Sequence, residues 1–208
     1  MKKPYIVGIC GASASGKSYL LQEMVRRLPG QEISLISQDN YYKPLAEQHR
    51  DEDGHVNFDH PDSIYLGDLL ADLNRLIHGE TITRLEYTFN NPAVTPKDIV
   101  VTPSKIIIVE GLFIYYLEEM RRLIDLKLFV EADEHIRLER RLRRDYEERG
   151  YSYESIFSDY RKFVAPMYLR YIAPLRYECD LIIPNNHHMN QALRVITDHL
   201  KLIAPENL

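Results

Sequence analysis

The sequence predicts an α/β fold in which a five-stranded parallel sheet has helices on both faces. Short apolar runs alternate with longer segments whose apolar residues recur every three or four positions. Strands that alternate with helices are joined by right-handed crossovers, which make the strands of one sheet parallel. A glycine-rich phosphate-binding motif lies where the first strand meets the first helix, and this is the position such a loop requires.

The individual elements follow from the spacing of apolar residues. Runs rich in Ile, Val and Leu predict the strands of the main sheet at residues 5–10, 33–37, 105–110, 126–131 and 180–184. Helical spacing predicts helices over residues 19–28 and 63–77. Residues 82–89 and 99–102 are predicted to pair around a proline-marked turn, as a small β-hairpin flap over about residues 80–103.

Length and composition indicate one domain spanning residues 1–208, because 45% apolar and 27% charged residues can bury a core and remain soluble. The net charge of −5 argues against general nucleic-acid binding, and no apolar stretch reaches membrane-spanning length. Cys10 and Cys179 are predicted to be buried free thiols in a reducing compartment. The first residues run directly into a strand, without room for a cleavable signal, so a cytoplasmic location is predicted.

The phosphate-binding motif is GASASGKS, which fits G-x-x-x-x-G-K-[ST]. Its glycines let successive backbone N–H groups point at one anion. Lys17 would place a cation against the β- and γ-phosphates, and the Ser18 hydroxyl is a ligand suited to Mg²⁺. The alternative is a Gly/Ser-rich turn that binds nothing, but the preceding strand and following helix favour a nucleotide site. The predicted ATP-binding residues are Gly11, Ala12, Ser13, Ala14, Ser15, Gly16, Lys17, Ser18 and Tyr19.

Two carboxylates follow strands of the predicted sheet, at the edge where open α/β sheets bind ligands. Asp39 comes after the second strand, and Glu110 ends the KIIIVE strand. Glu110 could hold Mg²⁺ directly or through a water, and Asp39 could take a proton from an attacking hydroxyl. Without the phosphate loop, Asp39 could equally be a cap or turn residue and Glu110 a strand end bonded to backbone.

A cluster of arginines lies within a region of about residues 137–165. Four of them, Arg137, Arg140, Arg141 and Arg144, share one face at helical spacing. One interpretation is a solvated face of ion pairs with the interleaved acids. The other is a helical lid whose guanidinium groups close on the transferring phosphoryl group. The pattern alone leaves both open. The cluster comprises Arg137, Arg140, Arg141, Arg143, Arg144 and Arg149.

The chain resembles the uridine–cytidine kinase family of P-loop kinases, and the matching segments run in the family's order from about residue 5 to residue 184. The resemblance implies a P-loop kinase fold and ATP- and Mg²⁺-dependent transfer of the γ-phosphoryl group to a nucleoside 5′-hydroxyl. It also implies a homotetramer. The segments that carry it are GASASGKS, SQDNYY, NFDHPDS, IIIVEGL, RRLRRDYEERG, FVAPM and CDLIIP.

The resemblance also implies roles for individual residues. Asp39 would be the base on the 5′-hydroxyl, with Lys17, Arg141 and Arg144 as its catalytic partners. Ser18 and Glu110 would serve the metal. Asp59 would hold the ribose hydroxyls. Four aromatic residues would line the sugar and base pocket, although ordinary core packing is the alternative for them: Tyr42, Phe58, Tyr87 and Phe89.

The chain departs from the family at the residues that read the base. Pro92 stands where a His is expected, Val94 where an Arg usually stands, Tyr151 in place of an Arg and Asp159 in place of a Gln. Asp159 and Tyr151 are therefore expected to contact the nucleoside with altered chemistry. An ionised carboxylate only accepts hydrogen bonds, which predicts a preference for purine nucleosides, then cytidine, then uridine. Alternatively, Asn90 or Asn91 could read the base.

Two other functions fit parts of the pattern. One is a related kinase of a phosphorylated sugar or a pantothenate-like alcohol, against which Asp59 argues. The other is a nucleotide-binding regulatory protein without transfer activity. The intact set of Lys17, Ser18, Asp39 and Glu110 argues against that alternative.

Overall fold

The computed structural model describes residues 3–28, 33–89, 91 and 94–204. Within them the strands are β1 (Tyr5–Gly11), β2 (Ile33–Ser37), β3 (Ile82–Leu85), β4 (Asp98–Val101), β5 (Ile106–Gly111), β6 (Leu126–Glu131) and β7 (Leu181–Pro184). The helices are α1 (Lys17–Arg27), α2 (Leu66–Ile77), α3 (Glu118–Leu123), α4 (Glu134–Glu147), α5 (Tyr153–Asp159), α6 (Ala165–Met167) and α7 (Asn190–Ile203). Short 3₁₀ turns include Gln38–Tyr41 and Pro61–Ser63, and π-helical turns span Tyr160–Val164 and Tyr168–Ile172.

The main sheet has the strand order β2-β5-β1-β6-β7, and every neighbouring pair is parallel. The prediction of an α/β fold with a five-stranded parallel sheet is therefore confirmed. Every residue of β5 is buried, which explains its apolar run Ile106–Val109, and Glu110 follows that run at the carboxyl end of the strand. The strands β3 and β4 form a separate antiparallel pair at the position of the predicted flap, with Ile82 opposite Val101.

Both faces of the sheet are covered, because side chains alternate along each central strand. On β1, Ile6 and Cys10 pack on one face, together with the apolar side of α2. Val7 and Ile9 pack on the other face, against α1 and α7. Within the described residues, no helix is both long enough and apolar enough to cross a membrane.

Some elements differ from the sequence predictions for local reasons. The helix predicted from residue 63 begins at Leu66, because Pro61–Ser63 forms a 3₁₀ turn first. The strand predicted over 82–89 ends at Leu85, and the chain beyond it turns toward the carboxyl edge of the sheet. Cys10 is buried as expected, but Cys179 is only half-buried at the end of a 3₁₀ turn. The helix α7 is not among the predicted elements, although Leu193, Ile196 and Leu200 recur in it at helical spacing.

Candidate active site

A cavity of about 550 Å³ opens at the carboxyl edge of the sheet. It joins the phosphate loop, the turn after β2, the end of the flap and the helix α4, so it brings together segments that are far apart in sequence. Gly11, Ala12 and Ser15 of the loop are buried behind its surface. The predicted site residues that line it are Ser13, Ala14, Gly16, Lys17, Ser18, Tyr19, Asp39, Tyr42, Phe58, Asp59, Tyr87, Phe89, Glu110, Arg141, Arg144, Tyr151 and Asp159.

The phosphate loop connects β1 to α1 through backbone conformations that favour glycine. Gly16, the residue before α1, has φ of +104°. A Cβ there would lie 2.1 Å from Nδ2 of Asn185, and that nitrogen donates to the carbonyl of Ser15 at 2.8 Å. Asn185 follows β7, so the far edge of the sheet supports the curvature of the loop from behind.

Lys17 is the first residue of α1, and its ammonium group folds back over the loop. Its Nζ donates to the carbonyl oxygens of Gly11 and Ala12, both at 3.0 Å. Burial lowers the pKa of Lys17, and the carboxylates Glu110 and Asp39 oppose that shift. A partly desolvated cation held only by carbonyl dipoles is suited to exchange them for phosphate oxygens.

Asp39 and Glu110 are brought together by the pairing of β2 with β5, in which Ser37 lies opposite Glu110. The Ser37 hydroxyl donates to Oε1 of Glu110 at 2.5 Å and accepts from the backbone N–H of Asp39 at 3.3 Å. The cap of the turn Gln38–Tyr41 is therefore Ser37 rather than Asp39. Glu110 accepts its hydrogen bond from the Ser37 side chain and not from backbone. These contacts therefore match neither structural alternative, in which Asp39 caps the turn or Glu110 bonds to backbone.

The two carboxyl groups carry an electrostatic cost. Burial raises the pKa of Asp39, against the opposing charges of Lys17 and Arg149. Burial also raises the pKa of Glu110, and the charge of Asp39 raises it further. A divalent cation would relieve this repulsion, and the nearby Ser18 hydroxyl and the carboxylates form the oxygen donor set that Mg²⁺ prefers. The residues present therefore fit a magnesium site.

Four aromatic side chains form an aromatic wall, defined as Tyr42, Phe58, Tyr87 and Phe89. The ring centroids of Tyr42 and Tyr87 are 5.1 Å apart, those of Tyr87 and Phe89 are 5.2 Å apart, and Phe58 meets Tyr42 at 6.2 Å. All four are half-buried and line the cavity, and Tyr42 also packs against the hydrophobic core, so core packing accounts for part of its burial. The wall offers flat apolar surface for a ring of the acceptor.

Polar groups flank the aromatic wall. Asp59 is buried, with 9% of its surface exposed, and its Oδ2 lies 3.9 Å from Nη2 of Arg141. Asp159 lies at the rim, where burial raises the pKa of its carboxyl group. Tyr151 is about half exposed, at 48%. Asn90 and Pro92 lie outside the described residues, and Val94 is exposed and does not line the cavity.

The arginines fall into two groups, of which the first pairs with Asp145 and the second bonds to backbone carbonyls. Asp145, a buried acid of α4, forms ion pairs with Arg144 at 2.8 Å, Arg149 at 3.2 Å and Arg141 at 3.3 Å. Arg141 also donates to the Ser13 hydroxyl of the phosphate loop at 2.9 Å. These ion pairs are not on a solvated face, since they line the cavity. We call this set the Asp145 cluster.

Arg137 and Arg140 do not join the Asp145 cluster. Arg137 is buried, donates to the carbonyl of Ala132 at 3.0 Å and stacks on Tyr168. Arg140 lines the cavity and donates to the carbonyl of Asn185 at 2.9 Å, tying α4 to the support of the phosphate loop. The shared face expected for four arginines is therefore divided, and Arg137 packs away from the site.

Several cavity and support residues were missed from sequence. Ser37 and Asn185 each end or follow a strand of the main sheet, so the rule that located Asp39 would also have found them. The sequence pattern indicates Asp145 only as one of the acids interleaved with the arginines. Ile156 and Phe163 line the cavity from α5 and the π-helical turn after it. Phe163 begins the FVAPM segment, but no site role is predicted for either residue.

Comparison with known proteins agrees with this geometry. Residues 6–192 match the model of the phosphoribulokinase / uridine kinase family. A uridine kinase of Brevibacillus brevis is 36% identical over 206 residues, covering 99% of this chain and 96% of that protein. A uridine kinase of Borreliella burgdorferi is 38% identical over 203 residues, covering 98% and 97%. Phosphoribulokinase from Rhodobacter spheroides shares the fold, with a TM-score of 0.65 at 18% identity over 88% of this chain and 71% of that one.

Proposed function

The chain belongs to the phosphoribulokinase / uridine kinase family, and from that premise we propose that it is an ATP-dependent nucleoside kinase. The reaction transfers the γ-phosphoryl group of ATP to the 5′-hydroxyl of a ribonucleoside and yields the nucleoside 5′-monophosphate. One observation carries the proposal. A single cavity joins the phosphate loop, the half-buried carboxylate Asp39 and the aromatic wall, so donor and acceptor can meet within it.

The phosphate loop and the Asp145 cluster would bind the donor. Backbone N–H groups of the loop and the start of α1 would cradle the β- and γ-phosphates. Lys17 would leave the carbonyls of Gly11 and Ala12 for phosphate oxygens. Arg141 and Arg144 would stabilise the charge on the transferring group, since guanidinium groups match phosphate oxygens in pairs.

The acceptor would lie between the Asp39 turn (Gln38–Tyr41) and the aromatic wall. Asp39 would accept the proton of the 5′-hydroxyl as its oxygen attacks the γ-phosphorus, and ADP would leave. Asp59 would accept hydrogen bonds from the two ribose hydroxyls. Tyr42, Phe58, Tyr87 and Phe89 would pack against the sugar and base, and Tyr151 and Asp159 would contact the base from the rim.

Mg²⁺ is the cofactor that we propose, with Ser18 and Glu110 holding it. When bound, the ion would neutralise charge on the phosphate oxygens and orient them. The hydroxyl of Ser37 would keep the Glu110 carboxylate facing the site through the hydrogen bond of 2.5 Å.

The fold does not choose the acceptor by itself, because phosphoribulokinase shares it. The relatives at 36% and 38% identity are uridine kinases, and the aromatic wall provides a surface on which a nucleobase can pack. Both observations favour a nucleoside over a phosphorylated sugar. The retention of Lys17, Asp39 and Glu110 in one cavity favours a catalyst over a purely regulatory nucleotide-binding protein.

The organisation of the protein is also proposed. We infer a single kinase domain over residues 1–208 that acts in the cytoplasm, where ATP is available and its two free cysteines stay reduced. A homotetramer is proposed from the family resemblance. Sedimentation velocity at micromolar concentration would test the assembly, and a monomer there would refute it.

A coupled assay of ADP release over a panel of nucleosides, phosphorylated sugars and pantothenate tests the function. Ribonucleosides are expected to be the productive acceptors. Lys17→Ala should abolish turnover, whereas Lys105→Ala, which removes an exposed lysine away from the cavity, should not. Turnover of a sugar phosphate but no nucleoside would refute the proposed acceptor, and an active Lys17→Ala variant would refute the proposed donor site.

A further inference from the structure

Asp72 on α2 is a buried carboxylate that does not line the active-site cavity, with 3% of its surface exposed. Three donors converge on it from three places in the chain. The Tyr41 hydroxyl lies 3.0 Å from Oδ2, Nε of Arg84 lies 2.5 Å from Oδ2, and Nη1 of Arg75 lies 3.2 Å from Oδ1. Arg75 belongs to the same helix, whereas Tyr41 and Arg84 belong to segments that build the active site.

We propose that Asp72 is a positioning residue that fixes the flap against the Asp39 turn and so pre-forms the acceptor half of the site. The inference rests on the proposed function, because it assigns Asp72 to acceptor binding. Tyr41 ends the turn that carries Asp39, and Arg84 lies in β3, just before the flap residues of the aromatic wall.

The flap and the Asp39 turn share Asp72 as a partner, and they also contact each other directly. The Arg84 guanidinium lies 4.6 Å from the centroid of the Tyr41 ring, so one cation contacts both the ring of the turn and the carboxylate of α2. Arg84 also approaches Asp68, one turn earlier on α2, at 3.6 Å. The flap is thereby tied to α2 and to the Asp39 turn at one point.

A second attachment lies closer to the cavity. The backbone N–H of Tyr87 donates to Oδ1 of Asn40, the neighbour of Asp39, at 3.1 Å. Two attachments along residues 84–87 fix the orientation of the flap end relative to the turn, which a single attachment would not. The rings of Tyr42 and Tyr87 and the carboxylate of Asp39 then keep their spacing as one unit.

The choice of an acid at this position supports a positioning role. A buried ion pair gains little stability over well-packed apolar side chains, but it imposes a geometry because every donor must be placed correctly. Asp72 satisfies Tyr41, Arg84 and Arg75 together, so a shift of the flap would break a charged hydrogen bond in a buried place.

Matched arginine variants test the inference. Arg84→Leu cuts the link between Asp72 and β3 but leaves Asp72 compensated by Arg75 and Tyr41. Arg75→Leu removes an equal charge from the same carboxylate, together with contacts to Glu80 and Thr81 ahead of β3, but keeps the link through Arg84. A displacement of reacting groups by about 1 Å can cost roughly a hundredfold in rate. We expect Arg84→Leu to lower kcat/KM for the nucleoside by about 10–100-fold, with KM for ATP changed by less than about twofold.

Arg75→Leu should leave both substrates within about threefold of the wild type, an effect of the size seen for an exposed ion pair. An equal loss of nucleoside kcat/KM in the two variants would overturn the inference. An equal rise in KM for nucleoside and for ATP in Arg84→Leu would also overturn it. Thermal unfolding of both variants separates these outcomes from a general loss of folding.

Hydrogen exchange gives a readout that does not depend on activity. In Arg84→Leu, peptides covering residues 38–43 and 82–89 should both exchange faster, whereas Arg75→Leu should leave both protected. Tyr41→Phe, which removes one hydroxyl and keeps the ring, should show the Arg84→Leu pattern at smaller amplitude. Faster exchange in the flap alone would refute the coupling. If the wild type phosphorylates no nucleoside but the coupling is observed, the proposed function fails and the positioning role of Asp72 stands.

Discussion

Asp39→Asn is expected to slow catalysis and stabilise the ligand-free protein at the same time. The amide keeps the shape of the side chain but cannot take the proton of the 5′-hydroxyl. A positioned general base contributes about 10²–10⁴-fold in rate, equivalent to about 3–5 kcal/mol in the barrier. We therefore expect kcat to fall within that range, while KM for ATP stays nearly constant because Lys17 and the loop are unchanged.

The gain in stability follows from the sign of the pKa shift. Burial raises the pKa of Asp39 above its ordinary value of 3.8, so the folded protein binds this proton more tightly than the unfolded chain. The contribution of Asp39 to the free energy of unfolding therefore falls as pH rises from 3.8 through the raised folded value. At pH 7 the ionised group destabilises the fold, by about 1.4 kcal/mol for each unit of pKa difference.

Thermal unfolding without ligand measures this effect. For a chain of this length, about 1 kcal/mol moves Tm by roughly 2–4 °C, so Asp39→Asn should raise Tm at pH 7. The gain should shrink as pH falls toward the ordinary value of 3.8, because the wild-type carboxyl takes up its proton over that range. Asp198→Asn, at an exposed position on α7, should change neither kcat nor Tm. An Asp39→Asn variant with wild-type kcat, or with a lower Tm at pH 7, would refute the reasoning.

Three further predictions concern recognition and the loop. Asp59→Asn should lower kcat/KM for ribonucleosides by about 10–100-fold, the value of a charged hydrogen bond. It should also reduce the ratio of kcat/KM for ribonucleosides to that for 2′-deoxyribonucleosides. A wild-type protein equally efficient on both sugars would contradict the role of Asp59. Asp159→Gln should shift selectivity toward uridine, because an amide can donate as well as accept, and an unchanged cytidine-to-uridine ratio of kcat/KM would exclude Asp159 from base reading. Gly16→Ala should cost about 2–5 kcal/mol from backbone strain and loss of the Asn185 contact, whereas Gly67→Ala, with open space around its Cβ, should be neutral or stabilising in thermal unfolding.

Much of the fold, and the part of the site around the phosphate loop, could be predicted from local sequence patterns. A buried central strand is predominantly apolar, so the run Ile-Ile-Ile-Val predicts β5 from the sequence alone. The phosphate loop is contiguous, and its glycines are required by the backbone. Asp39 and Glu110 could be found because the carboxyl ends of parallel strands meet at one edge.

The hydrogen bonds that hold the site residues in place depend on which residues of distant strands and helices lie opposite each other. No local sequence pattern contains that information. The Ser37–Glu110 hydrogen bond exists because β2 pairs with β5 at those residues, 73 positions apart. Asp72 and Tyr41 are 31 residues apart, and nothing in either segment indicates the other. The π-helical turns from residue 160 widen the helix and shift its face, so a search at the ordinary helical period misses Phe163.

The Asp145 cluster has a consequence for which anions the site can retain. Arg141, Arg144 and Arg149 share one internal carboxylate, which offsets one of their three positive charges, so a phosphate competes with Asp145 for their N–H donors. A small anion with few contacts gains little from that exchange, whereas a triphosphate seated on the loop offers several oxygens at once. We therefore expect the Asp145 cluster to weaken the binding of inorganic phosphate more than that of ATP, and we expect ATP affinity to depend on ionic strength less steeply than five cavity arginines would suggest. Titration of ATP and phosphate binding across salt concentrations, with Asp145→Asn for comparison, would measure this difference; equally steep slopes for the two proteins would show that the carboxylate does not compete.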